Sequence, residues 1–293
     1  MNTDLIQKFA SIVGEQHALT TQEAIAPHLL EPRAKFSGSS PLVLKPSTVQ
    51  EVSAILKLAN DTGTAIVPQG GNTGLVGGQM ASGEVIVSLS RLNAIRHVDV
   101  MDKCITLEAG VTLSSAQAAA SAQGLMFPLW IASQGTCQVG GNLATNAGGI
   151  NVLAYGTTRD LCLGVEVVLP SGEIWNGLKS LRKDNTGYDL KHLFIGSEGT
   201  LGIITAATMK LVPAPCDKAT VFAAVNTPQG ALDVLSLVQG MSGGAVVAFE
   251  IMARSGVEMS IKHAGCRDPL DTVANWYVLF ELAGHGVPGD MDK

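Results

Sequence analysis

Apolar residues in this chain recur in two rhythms, one helical and one strand-like, and the switches between them mark its elements. Near the start, Leu5, Phe9, Ile12 and Val13 repeat at helical spacing, so the segment up to about Pro32 reads as short helices. Leu42-Val43-Leu44, between Pro41 and Pro46, is a short strand. Ser47 or Thr48 then caps a helix whose stripe is Val49, Val52, Ile55, Leu56 and Ala59, and Gly63 ends it. Ala65-Ile66-Val67 returns to strand rhythm and runs straight into a glycine-rich stretch. A loop at the carboxyl end of a strand in a strand–helix–strand unit is where open α/β sheets hold ligands.

Val85 to Leu89 and Ile105 to Ala109 read as two more strands, and Thr112 opens an alanine-rich helix that runs to Gly124. A second glycine-rich stretch follows Pro128. Val165, Val167 and Leu169 alternate, and Pro170-Ser171-Gly172 turns them back on Glu173-Ile174-Trp175 as a hairpin. Ile203 to Val212 is a longer strand stopped by Pro213 and Pro215. The rhythm changes at Pro213-Ala214-Pro215, which marks a domain boundary. Beyond it come a strand (Thr220 to Val225), a helix (Gln229 to Gln239) and strands near Val246 to Glu250 and Trp276 to Leu282, the start of a second α/β unit. The division expected is a helical segment over 1–36, a main domain over 37–215 and a partial domain over 216–293.

Composition narrows the class. Hydrophobic residues make up 46% of the 293 and charged residues 15%, which describes an ordered globular protein rather than a disordered one. A net charge of −6 with no basic tract argues against a nucleic-acid partner. No apolar run approaches the roughly 20 residues that span a bilayer, and Met1-Asn2-Thr3-Asp4 lacks the basic-then-apolar order of a secretory signal. Cys104, Cys137, Cys162, Cys216 and Cys266 are odd in number and widely spaced. They read as reduced thiols, and a cytoplasmic location is expected.

The chemistry concentrates in two stretches that mix glycine with Asn and Thr. One is Pro68-Gln69-Gly70-Gly71-Asn72-Thr73-Gly74-Leu75-Val76-Gly77-Gly78, the other Gly140-Gly141-Asn142-Leu143-Ala144-Thr145-Asn146-Ala147-Gly148-Gly149. Glycine lets backbone N–H groups approach a ligand closely, and Asn and Thr add short neutral partners. The combination suits a pyrophosphate held by backbone dipoles rather than by lysines. A third segment, Gly196-Ser197-Glu198-Gly199-Thr200-Leu201-Gly202-Ile203-Ile204-Thr205, opens a strand, so its backbone groups are expected to lie extended where they can meet a flat ring.

Competing motifs fail on spacing. A triphosphate loop needs a Lys after its last glycine, and here Gly78-Gln79 stands in that place. The sequence Gly284-His285-Gly286-Val287-Pro288-Gly289 matches a dinucleotide fingerprint, but no helix can follow it in the residues to Lys293, so it reads as an ordinary turn. The six histidines form no metal motif, and no catalytic or metal-ligating residue is assigned. Lys45, Arg159, Lys183 and Lys191 read as surface charges. Lys183-Asp184-Asn185-Thr186-Gly187-Tyr188-Asp189 is dense in polar groups and reads either as a surface turn or as part of a site.

Taken with Lys183 to Leu190, the three segments resemble those of the FAD-dependent 2-hydroxy acid dehydrogenases of the vanillyl-alcohol-oxidase superfamily. That branch includes D-lactate and D-2-hydroxyglutarate dehydrogenases and the large subunit of glycolate oxidase. The resemblance runs from about Leu42 to Pro215, and more loosely to Leu282. It implies an α+β fold, with a two-subdomain FAD-binding domain followed by an incomplete α/β substrate cap. It implies that Gln69, Gly70, Gly71, Asn72, Thr73 and Gly74 cradle the pyrophosphate. Gly140, Gly141, Asn142, Thr145 and Asn146 would contact the pyrophosphate and the neighbouring flavin, and Glu198, Gly202, Ile203 and Ile204 would line the nucleotide or the ring edge. Some members attach FAD through a histidine in the first loop. Asn72 and Thr73 occupy that region here, so non-covalent FAD is implied. The implied reaction oxidises a D-2-hydroxy acid to the 2-oxo acid with hydride passing to the flavin, and an electron acceptor that no motif names. The family's C-terminal His-Glu-His-Gly-type motif, which supplies metal ligands and the catalytic histidine, has no counterpart between Pro213 and Lys293. The alternatives are therefore a non-catalytic FAD-carrying electron-transfer subunit or an inactive fragment. A homodimer is expected only by analogy.

Overall fold

The structure is a computed structural model, and it describes residues Met1–His285. The turn read at Gly284 to Gly289 therefore lies, from Gly286 onward, outside the described residues. The chain divides into two compact units, the first built from 1–127, 131–147 and 157–212, the second from 128–130, 148–156 and 213 onward.

The first unit begins with α1 (Thr3–Val13), capped by Asn2, whose side chain accepts from the Leu5 N–H. A four-stranded sheet follows: β1 (Ala18–Leu19), β2 (Val43–Leu44), β3 (Ile66–Gln69) and β4 (Val85–Ser88) in the order β1-β2-β4-β3. The β2, β3 and β4 strands run parallel. The crossover between β2 and β3 is α2 (Val49–Thr62). Thr48 caps it, and Gly63 closes it in the left-handed conformation at φ 64°.

A five-stranded antiparallel sheet makes the other half of this unit. Its strands are β5 (Ile95–Asp99), β6 (Cys104–Glu108), β7 (Cys162–Val168), β8 (Ile174–Gly177) and β9 (Ile203–Lys210), ordered β5-β6-β9-β7-β8. Between β6 and β7 lie α3 (Leu113–Ser121), capped by Thr112 as its sequence predicts, and a short α4 (Val139–Ala144). The second glycine stretch was expected as a loop, and its first half is this helix. Two glycines make it a poor helix by propensity. Tertiary bonds fix its first turn: the Val139 N–H donates to the Val111 carbonyl and the Gly140 N–H to the Ala109 carbonyl.

One core joins the two sheets of this unit. Phe9 and Val13 of α1 and Val52, Ile55 and Leu56 of α2 pack with Val85 and Val87 of β4, and with Ala109, Val168 and Ile203 beside the second sheet. Strand β7 is buried along its whole length, so its one acid must be satisfied inside. Glu166 takes hydrogen bonds from Arg96 at 3.1 Å and from the Thr205 hydroxyl at 2.9 Å. Burial pushes the Cys162 thiol up to about 12, so it behaves as a small apolar side chain.

The second unit carries a three-stranded antiparallel sheet, β10 (Asp217–Val225), β11 (Val246–Ala253) and β12 (Trp276–Gly284), in the order β10-β12-β11. Two helices accompany it, α5 (Pro228–Met241), with Thr227 as cap, and α6 (Arg254–Ala264). Val225, Ala231, Val278 and Phe280 form its small core.

Candidate cofactor cleft

The first glycine stretch leaves β3 at Gln69 and is held from behind by its own polar side chains. Gln69 is 1% exposed. Its Nε2 donates to the carbonyls of His28 at 2.9 Å and Gln79 at 3.3 Å, which leaves Oε1 facing His28 Nδ1 at 2.6 Å. With a carbonyl-type oxygen opposite, Nδ1 carries the proton. Asn72 sits at φ 52° and turns its Nδ2 onto the Leu30 and Pro27 carbonyls at 2.9 and 3.2 Å. Arg33 donates to the Leu75 carbonyl. The N-terminal segment thus clamps the loop, and the amides on the other side are left for a ligand. Among the described residues, no backbone N–H from Gly70 to Gln79 donates a hydrogen bond. Successive unmatched backbone donors can form a nest for an anion where they converge.

Burial lowers the His28 pKa below its usual value, more than its hydrogen bond with Gln69 raises it, and Lys45 lowers it further. The folded protein then binds fewer protons than the unfolded chain as pH falls through about 6.5. Stability should be lost on acidification through that window and level off below the folded pKa. We expect the melting temperature to fall less steeply between pH 7.5 and 5.5 in His28→Asn than in the parent. Equal slopes would remove His28 from the clamp.

Three segments meet at the cleft because glycines let them touch. A Cβ on Gly71 would collide with the Thr136 carbonyl oxygen. One on Gly140 would stand 2.6 Å from the Ala109 methyl, one on Gly78 2.7 Å from Glu198 Oε2, and one on Gly199 would strike Pro68. The third segment docks onto the end of α4: the Gly196 and Glu198 N–H groups donate to the Leu143 and Ala144 carbonyls at 3.0 and 2.9 Å. That docking bends the segment. Glu198 takes φ 53°, Gly199 φ 80° and Gly202 φ 154°, so the backbone expected to be extended turns through positive-φ positions before Ile203. For a non-glycine such a conformation costs on the order of 1–3 kcal/mol and tends to persist at functional sites.

The resulting cleft of about 270 Å³ lies within the first unit. Of the residues singled out from sequence, Gln69, Gly70, Gly71, Asn72, Thr73, Gly74, Gly140, Gly141, Asn142, Thr145, Glu198, Gly202, Ile203 and Ile204 all line it. Asn146 does not. At φ 48° its Oδ1 accepts the Arg159 N–H at 3.0 Å, so it holds the turn at Thr158–Leu161 instead. Neither Lys45, Arg159, Lys183 nor Lys191 reaches the wall, where Glu198 is the one charged residue among the described residues. Sequence reasoning missed Gln138, Ser133, Ile131 and Phe194 on the wall and His28 behind it. Only Gln138 carries a sequence signal, as the residue before a helix whose second and third positions are glycine.

Residues 40–177 match the family described as the FAD binding domain. A solved alkyldihydroxyacetonephosphate synthase shares the fold at a TM-score of 0.81 and 20% identity, over 99% of this chain and 56% of that one. Beyond that domain, the chain is similar along its length to D-2-hydroxyglutarate dehydrogenases. It is 39% identical over 276 residues to the mitochondrial D-2-hydroxyglutarate dehydrogenase of Bos taurus, covering 94% of this chain and 51% of that protein. The Arabidopsis thaliana protein of the same name is 36% identical over 290 residues, covering 98% and 52%. The chain spans about half the length of the curated relatives it matches. These relatives are mitochondrial, which corrects the cytoplasmic location expected from the sequence. Reduced thiols report a reducing environment, not a compartment.

Proposed function

We propose that the cleft binds FAD non-covalently and that this chain is the FAD-carrying part of an oxidoreductase acting on a D-2-hydroxy acid. The observation that carries the reading is the run of unmatched amides from Gly70 to Gln79 on a wall without a cation. A diphosphate held there is stabilised by peptide dipoles. Gln69 to Gly74 would cradle it, with Gly141, whose N–H is likewise unmatched, beside them: a Cβ on Gly70 would stand 3.7 Å from its Cα. Asn142 and Thr145 would stand beside the flavin, and Gly202, Ile203 and Ile204 at the ring edge. Glu198 would repel a diphosphate, so its carboxylate suits the hydroxyl-bearing parts of the nucleotide. The first loop holds Asn72 and Thr73 and no histidine for a covalent link.

Bound FAD supplies a two-electron acceptor for oxidation of the hydroxy acid to the 2-oxo acid. The chain's residues orient the cofactor and exclude water from it. In this reading residues 37–215 are the FAD-binding domain and 216–293 part of the substrate cap. The alternative is an FAD-carrying electron-transfer subunit.

Purified chain titrated with FAD should develop a flavin spectrum that denaturation releases quantitatively. Its affinity should change little between 50 and 500 mM salt, because no lysine or arginine among the described residues lines the cleft. No binding would refute the reading, and flavin retained after denaturation would refute the non-covalent part. Anaerobic bleaching of the bound flavin by D-2-hydroxyglutarate or D-lactate would favour the oxidoreductase over the electron-transfer subunit.

A further inference from the structure

The cleft wall contains one buried polar side chain that makes no hydrogen bond among the described residues. Gln138 is 8% exposed and lines the cleft, and its Oε1 is enclosed without a donor. It precedes α4 in the capping position, yet its side chain does not cap. The first two N–H groups of the helix, those of Val139 and Gly140, donate to the Val111 and Ala109 carbonyls. The carboxamide lies instead against the first loop, where a Cβ on Gly70 would come 3.5 Å from Oε1. Buried acceptors without partners are rare in folded proteins. An acceptor shut into a binding cleft is matched by a donor on whatever fills it.

We propose that Gln138 is a nucleotide-binding residue whose carboxamide oxygen accepts a hydrogen bond from an N–H or O–H of the bound flavin nucleotide. The proposal rests on the FAD reading above. An ionised diphosphate carries only acceptors, so it cannot satisfy this oxygen. The nucleotide's donors are the imide N–H of the isoalloxazine ring, the ribityl hydroxyls and the adenosine groups.

The test is FAD titration of the full chain, followed by flavin fluorescence, for the parent and for Gln138→Met. Methionine keeps the length of the side chain and removes the acceptor. Affinity should fall by about tenfold or more. Melting of the FAD-free variant should stay at or above the parent's, because folding without ligand loses no bond. A purely structural glutamine would lower both together, and that result, like unchanged affinity, overturns the proposal. Repeating the comparison with FMN and with 3-methyl-FAD identifies the donor. A penalty lost with 3-methyl-FAD assigns the imide, one lost with FMN assigns the adenosine half, and one kept with both assigns the ribityl chain. A parent chain that binds no FAD would overturn the underlying reading rather than this step alone.

Discussion

Gly71→Ala should weaken FAD binding by about 100-fold, the upper end of what overpacking a tight contact does. The glycine is there for proximity, since its φ is not in the left-handed region. A methyl group at this position would strike the Thr136 carbonyl oxygen and come 2.9 Å from the Thr136 carbon and 3.1 Å from Cys137 Cα. All three are backbone atoms, which cannot rotate away as the end of a side chain can. The first loop must therefore lift from 136–137, and its unmatched amides leave the wall formed by Gln138 and α4. Gly135→Ala is the matched control, because a Cβ there meets nothing within 4 Å. FAD titration measures the effect, and melting of both FAD-free variants separates lost affinity from lost folding. Affinity within threefold of the parent in Gly71→Ala would show that the loops bind without this approach.

The first loop and the caps were legible in sequence because they are local. Thr48, Gly63 and Thr112 each stop or start a helix through atoms within four residues of themselves. The hairpin of β7 and β8 was legible for the same reason, with Val168 opposite Ile174 across a short turn. What the sequence hid depends on distant partners. Strand β5, Ile95-Arg96-His97-Val98-Asp99, has no buried residue and no clean alternation, and it is a strand because β6 pairs with it. Helix α4 is a helix because Val111 and Ala109 accept its first N–H groups. Helix α6 was missed because only Val257 of its eleven residues is buried. In the cleft, glycine marked where backbones meet. It did not show that Gln69 and Asn72 turn their side chains toward the N-terminal segment, nor that Asn146 faces Arg159.

The same dependence on distant partners sets the largest stability effect. Arg96, on the edge strand β5, reaches Glu108 of β6 at 3.3 Å and Glu166 of β7 at 3.1 Å. Its side chain is 30% exposed and that of Glu166 is 8% exposed. Arg96→Met would leave the Glu166 carboxylate buried with the Thr205 hydroxyl as its remaining side-chain donor. Removing one partner of a buried pair costs about 3–5 kcal/mol. Partial exposure of the guanidinium lets water reach the orphaned acid, so the lower end applies, about 3 kcal/mol. In a unit of this size that lowers the melting temperature by about 6–12 °C. Adding Glu166→Gln removes the charge while keeping an oxygen for Thr205, so the double variant should recover most of the loss. A double variant no more stable than Arg96→Met would place the effect in the packing of the arginine stem instead of the stranded charge. The strand carrying Glu166 pairs with β9, whose first residues, Ile203 and Ile204, line the cleft. Slackening this sheet should therefore weaken FAD binding as well, and restoring it in the double variant should bring affinity back in parallel with stability.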